Sequence, residues 1–155
     1  CAKELKLSLI SLRYFNVIGN GSFQMAHDNS KECLLPSIYR CYKDNKLPKI
    51  FGTSFNTKDG SAMRDYLDVR DLSDVHFLAA KYLMNQITEQ SIKLNVGTGK
   101  PNSVLQILSI FSKNLSIPED FDDVGRNSVD PDAIWANTEK IFKLFSWRPR
   151  WKLDD

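Results

Sequence analysis

The chain has 155 residues, 42% hydrophobic and 26% charged, the size and mix of one ordinary folded domain. That excludes a disordered tail, a collagen-like fibre and a coiled coil. The net charge is only +2, too small for a general electrostatic drive toward nucleic acid or an anionic membrane.

Residues 5–15 (LKLSLISLRYF) alternate apolar and polar positions and then thicken, which predicts a strand buried on both faces toward its end. NVIGNG (16–21) breaks it with turn formers, and residues 20–31 predict a polar loop. Leu34, Leu35, Ile38 and Cys41 or Tyr42 then recur at helical spacing to about Lys46. LPKIF (47–51) reads as a short strand closed by Gly52, residues 53–61 as a turn-rich loop, and residues 63–69 as another short strand. Asp71 is placed to cap the next helix, because a carboxylate can accept from the free N–H groups of the first turn. Leu72, Val75, Leu78, Ala79, Tyr82, Leu83 and Ile87 form its apolar stripe.

Residues 92–96 predict a strand with GTG (97–99) as its exit turn. Ser103 and Gln106 have the spacing of a capping box. The helix they open carries Val104, Leu105, Ile107, Leu108, Phe111 and Leu115 on its buried side. Glu119, Asp120, Asp122 and Asp123 predict a solvated acidic loop, without the glycine bend and ligand spacing of a calcium site. A last helix is expected over 138–145, with Trp147 and Trp151 after it. Strands separated by helices predict an α/β architecture with mainly parallel pairing.

Three cysteines, Cys1, Cys33 and Cys41, leave at least one thiol unpaired. Cys33 and Cys41 share a predicted helix, where a rise of about 1.5 Å per residue holds them roughly 12 Å apart, too far for a disulfide. Reduced thiols predict a cytoplasmic protein. No apolar run approaches the roughly 18 residues of a membrane span, and no signal-peptide pattern is present. A start at Cys1 rather than Met predicts a processed product or a piece of a longer protein.

Among motifs, G-x-S-x-G, H-E-x-x-H and C-x-x-C are absent. His27 has no ligand-spaced partner, and His76 reads as a packing or surface histidine. GTG (97–99) begins like a dinucleotide fingerprint, but Asn102 stands where the third glycine would be, so a plain strand-to-helix turn is the better reading. RYFN (13–16) ends a buried strand, and open α/β sheets bind ligands beyond the carboxyl ends of their strands. An aromatic pair followed by an amide suits a flat ring and a hydroxyl-rich ligand. In MRDYLDVRDL (63–72), strand periodicity puts Arg64 and Tyr66 on one face and Asp65 on the other. The planar fork of Arg64 suits a diphosphate, and a surface ion pair equally well.

RYFN (13–16), IFGTSFNTKDGSAMRDYLDVRDL (50–72), LNVGTGKPNSVLQI (94–107) and DPDAIWAN (130–137) occur in that order. Together they resemble the carboxyl-terminal half of the UDP-glucose 4-epimerase group of extended short-chain dehydrogenases/reductases, over nearly the whole chain. SWRP (146–149) fits the family's G-W-x-P ending. The resemblance implies an α/β fold: the carboxyl-terminal part of a Rossmann-like parallel sheet plus a smaller mixed α/β substrate domain. Residues 1–19 and 63–98 would be the last portions of the NAD-binding domain, and 20–62 and 99–155 the nucleotide-sugar domain. The family's glycine loop and catalytic Tyr-x-x-x-Lys precede this region. YRCYK (39–43) matches the latter by letters only, because it lies after RYFN.

The resemblance also implies roles. Tyr14 and Phe15 would bind the cofactor, NAD, with Phe15 against the nicotinamide. Asn16 would bind the sugar-diphosphate portion, Cys33 and Leu34 would stand where the family contacts the nucleotide sugar, and Lys49 and Phe51 would line the uracil. Arg64 would hold the diphosphate. Arg126, Asn127 and Asp130 occupy the family's R-x-G-D stretch, with Asp130 toward the ribose. The chain departs from the family pattern at Cys33 (an Asn or His), Asp68 (a His), Asn127 (the arginine) and Val129 (the Gly).

The implied activity is NAD-dependent interconversion of UDP-glucose and UDP-galactose, in galactose metabolism. A tyrosine base takes the proton of the sugar's 4-hydroxyl while NAD oxidises carbon 4. This half would supply the substrate pocket and no catalytic residue, so the chain alone should be inactive. Its partners would be the UDP-sugar and the amino-terminal half of the same enzyme, with no metal, nucleic acid or membrane and with room for a homodimer. A sibling nucleotide-sugar dehydratase, a uronate epimerase and a non-catalytic nucleotide-sugar-binding remnant are the alternatives.

Overall fold

At Phe15 the chain passes from one parallel strand pair into another, and these two pairings organise the molecule. The structure, a computed structural model, describes residues 7–20, 33–86 and 89–153. The first strand, β1 (Leu9–Tyr14), precedes β2 (Asn16–Ile18) by a single residue. Helix α1 (Leu34–Lys43) follows, then β3 (Lys49–Ile50), β4 (Met63–Asp68), α2 (Val69–Met84) and β5 (Ser91–Val96). The chain continues through β6 (Pro101–Ser103), α3 (Val104–Leu115), β7 (Asp122–Asp123), β8 (Ala133–Ile134) and α4 (Glu139–Phe145).

β1 pairs in parallel with β5, Ile10 opposite Ile92 and Tyr14 opposite Val96, as predicted, but its end is not buried on both faces, because Arg13 and Tyr14 are exposed. β4 is the hub of the second sheet. It pairs in parallel with β2 (Asn16 opposite Tyr66) and β8 (Arg64 opposite Ile134), and antiparallel with β6 (Arg64 opposite Asn102). β3 and β7 form a separate short parallel pair. The core joins Leu67 of β4, Leu72 and Val75 of α2, and Leu94 and Val96 of β5 with Ile141 of α4 and Trp147. Thus α4, grouped by resemblance with the substrate unit, packs on β5.

Several local expectations change. NVI (16–18) is strand rather than turn, because β4 offers a parallel partner, and the turn is delayed to Gly19 at φ +84°. PNS (101–103) likewise becomes a strand against β4 before α3 begins. The cap of α2 is Asp68, whose carboxylate accepts from Arg70 N; Asp71 lies inside the first turn and is fully buried. Asp71 instead accepts from the backbone N–H groups of Arg150 and Trp151, tying the tail to α2. The capping box of Ser103 and Gln106 forms in both directions. Leu115, expected on the buried side of α3, is exposed, while Ser112 is buried. Ile87 and the loop residues 21–32 lie outside the described residues.

The strongest long-range tie is a carboxylate. Asp65 is fully buried and accepts from Thr98 N at 2.8 Å, Thr98 Oγ1 at 2.5 Å, Gly99 N at 2.9 Å and Ala136 N at 3.0 Å. A buried carboxylate is stable only when so saturated. Gly97 gives it room: a Cβ there would lie 2.5 Å from Asp65 Oδ2 and 2.6 Å from Ala136 Cβ. Asp65→Ala leaves several buried donors unpaired and should cost more than about 3 kcal/mol of stability, read as a lowered urea midpoint.

Candidate functional site

Because Asp65 faces the turn at 97–99, the alternation of β4 turns Arg64 and Tyr66 the other way. Arg64 is half-buried, and its Nη1 donates to Met63 O at 2.8 Å and Pro131 O at 3.0 Å. It has no carboxylate partner among the described residues. Tyr66 is buried, and its burial, only partly opposed by the Arg64 charge, pushes its hydroxyl up to about 12. It stays neutral across the physiological range.

Residues 126–132 form a strap across this face. Arg126 Nη1 bonds Asp132 Oδ1 at 2.8 Å, its Nη2 donates to Asp130 O at 2.7 Å, and its guanidinium carbon lies 4.2 Å from the Phe55 ring centroid. The backbone N–H of Asp130 donates to Asn127 O at 3.1 Å, and Asn127 Oδ1 accepts from Val129 N at 3.3 Å. The Asp130 carboxylate has no side-chain partner among the described residues.

Phe51 reaches the same strap through its neighbour. A Cβ on Gly52 would lie 2.8 Å from Arg126 Cα, so only glycine permits the approach. Phe51 is itself 64% exposed, while Lys49 is exposed on β3 opposite Asp122. Thr53 Oγ1 donates to Asp123 Oδ2 at 2.5 Å, and this bond, with those from nearby backbone N–H groups, holds the Asp123 carboxyl below its ordinary range. In the loop between, Asp59 accepts from Ser61 N, Ser61 Oγ and Ser103 Oγ; burial raises its carboxyl, and these bonds more than reverse that.

The structure therefore joins Arg64, Arg126, Asn127 and Asp130 with the end of β3, and sets Asn16 on the neighbouring strand opposite Tyr66. Cys33 occupies the cap position of α1 without capping it, and Leu34 begins that helix, half-buried. Cys33 and Cys41 are both free thiols. Tyr14 is 54% exposed, its ring 6.2 Å from that of His76 on α2. Phe15 is half-buried and donates its N–H to Val96 O at 3.3 Å. Lys43 lies over the Tyr39 ring at 4.8 Å, a helix-surface contact.

Sequence reasoning missed Asp132, Phe55 and the four-donor role of Asp65. Only the strand period signalled any of them, by turning Asp65 inward. An open groove of about 540 Å³ lies elsewhere, lined by Arg13, Lys93, Asn95, Asn137 and Lys140 among others, and holds none of the assigned residues. Among the described residues there is no cluster of metal-ligating side chains and no helix long and apolar enough to cross a membrane.

The fold resembles known proteins. The model of the NAD dependent epimerase/dehydratase family matches residues 1–97. This chain belongs to that family. It is 32% identical to a UDP-glucose 4-epimerase of Halalkalibacterium halodurans, over 97% of this chain and 46% of that protein. Among solved structures, it matches the UDP-glucose-4-epimerase from Stenotrophomonas maltophila with bound NAD and formylated UDP-arabinopyranose (TM-score 0.84, 28% identity, 99% of this chain, 46% of that one). It also matches the UDP-glucose 4-epimerase from Bifidobacterium longum in complex with NAD+ and UDP (TM-score 0.85, 25% identity, 99% and 46%). The chain thus spans less than half the length of these relatives.

Asp68, which stands where the resemblance has a histidine, is committed locally. Its carboxylate takes Arg70 Nε and Nη2, each at 2.8 Å, and comes close enough to Gly19 that a Cβ there would lie 3.0 Å from Oδ2. Partial burial raises its carboxyl, but the bonds from Arg70 outweigh this and hold it below the ordinary 3.8. A lowered folded-state value means stability that is present above 3.8 and lost as pH falls through the folded value. Asp68→Asn should therefore lower the urea midpoint at neutral pH, with the gap closing as pH falls through the folded-state value. A gap that persists in acid would count against the Arg70 pairing.

Proposed function

We propose that this chain is the carboxyl-terminal part of an NAD-dependent UDP-sugar 4-epimerase that interconverts UDP-glucose and UDP-galactose, serving galactose metabolism in the cytoplasm. Its share is the substrate pocket. One observation carries the reading: Arg64 is a half-buried guanidinium with no carboxylate beside it among the described residues, seated on the Pro131 carbonyl next to Asp130. A cation so placed, with part of its fork free, suits a diphosphate. Asn16 offers an amide from the adjoining strand, Phe51 an exposed flat face for uracil, and Asp130 a carboxylate with no side-chain partner among the described residues for ribose hydroxyls. Cys33, Leu34 and Lys49 complete the pocket in this reading, with Asn127 on the strap. Solved relatives that contain UDP or a UDP-sugar support it.

Tyr14 and Phe15 fit NAD. They stand at the carboxyl end of β1, where the chain leaves one sheet for another, and ligands of open α/β sheets bind at such switch points. Phe15 is half-buried and presents an apolar ring suited to stacking on a flat heterocycle. When bound, NAD supplies reversible oxidation at carbon 4 of the sugar. The chain's own residues hold the diphosphate, orient the sugar and cover the cofactor ring, while the proton-transferring tyrosine lies in the preceding half. Residues 1–19 and 63–98 then complete the NAD-binding domain, and 20–62 and 99–155 the substrate domain. A homodimer is the assembly proposed for the whole enzyme.

In the full-length enzyme, Arg64→Ala should weaken UDP-sugar binding by about 1.5–3 kcal/mol, measured by calorimetry, without changing the unfolding midpoint. Arg64→Lys should recover only part of the loss, because a point charge cannot reproduce the fork. Unchanged affinity in Arg64→Ala would remove the reading. The 155-residue chain by itself, supplied with UDP-galactose and NAD, should give no turnover above a blank. Turnover would return attention to Tyr39 and Lys43.

A further inference from the structure

Two guanidinium groups sit on consecutive carbonyls of the strap. Arg64 Nη1 donates to Pro131 O at 3.0 Å and Arg126 Nη2 to Asp130 O at 2.7 Å. They differ in charge environment. Arg64 meets no carboxylate among the described residues, whereas Arg126 Nη1 is bonded to Asp132 Oδ1 at 2.8 Å. An anion belonging to the protein is therefore already seated on one of two neighbouring arginines.

We propose that Asp132 is a specificity-determining residue, an internal competitor whose carboxylate must leave Arg126 before a diphosphate can gain that arginine. The inference rests on the nucleotide-sugar reading. The pair is able to exchange: the side chains of Arg126 and Asp132 are 28% and 40% exposed, and ion pairs open to water are weak. Arg126 would stay in place once Asp132 withdrew. Its guanidinium carbon lies 4.2 Å from the Phe55 ring centroid, and its Nη2 remains on Asp130 O, so the freed Nη1 is presented to an incoming phosphate oxygen. This competition reduces affinity for anionic ligands and leaves neutral ones untouched.

Asp132→Asn isolates the charge. The amide oxygen can still accept from Asn56 N, which lies 3.3 Å from Asp132 Oδ1, and the backbone oxygen still accepts from Met63 N at 2.8 Å. The experiment is calorimetric titration of the full-length protein with UDP and, separately, uridine. Asp132→Asn should bind UDP about two- to fivefold more tightly, the range expected when a half-exposed pair no longer has to be broken. Uridine affinity should not move, and adding Arg126→Gln should abolish the gain. Unchanged or weaker UDP binding, an equal shift for uridine, or a gain that survives Arg126→Gln would each overturn the proposal. Arg64→Ala run alongside separates the two readings. Loss of UDP affinity there with no gain in Asp132→Asn sinks the competitor alone, whereas unchanged UDP affinity in Arg64→Ala sinks the nucleotide-sugar site and this inference with it.

Discussion

The buried Asp65 carboxylate is the constraint on which the site depends. Four donors from Thr98, Gly99 and Ala136 converge on it, so β4, the turn after β5 and the segment after β8 are held at one point. A charge in that position tolerates little displacement, because each lost donor leaves an uncompensated buried acceptor. Strand alternation then passes the constraint outward: with Asp65 turned in, Arg64 is turned toward the strap. The orientation of the candidate anion-binding arginine thus follows from a hydrogen-bond network on the opposite face.

Carboxylates do similar work elsewhere. Asp71 gathers the N–H groups of Arg150 and Trp151, while Arg70 lies over the Trp151 ring at 3.3 Å and bonds Asp68. Asp59 joins the loop before β4 to the start of α3 through Ser61 and Ser103. The apolar core formed by α2, β4, β5, α4 and Trp147 brings the layers together without direction. The directional bonds select one arrangement of loops and tail upon that core.

The candidate site is a meeting of pieces distant in sequence. The strap is held by Arg126 bonds to Asp130 and Asp132, Gly52 lets the end of β3 approach it, and β2 brings Asn16 alongside β4. Its two arginines are not equivalent: one is matched by an internal carboxylate, and the other meets none among the described residues. A half-buried guanidinium without a carboxylate among the described residues suits an anion.

Sequence alone determined what depends on neighbours along the chain. Alternating apolar positions located β1, apolar helical stripes located α1, α2 and α3, and the spacing of Ser103 and Gln106 located a cap. The order of RYFN, the long block at 50–72 and DPDAIWAN singled out Asn16, Phe51, Arg64 and Asp130 as candidates through resemblance. Tertiary structure decided whatever needs a partner from far away. NVI (16–18) looks like a turn until β4 lies beside it, and PNS (101–103) becomes strand for the same reason. Asp71 looks like a cap until the tail arrives, and Asp132 has no legible role until Arg126 folds back over Phe55. Local periodicity reports which way a side chain points, but a charge acquires its role from the donors and counter-ions it meets, and those come from segments that only the folded chain brings within reach.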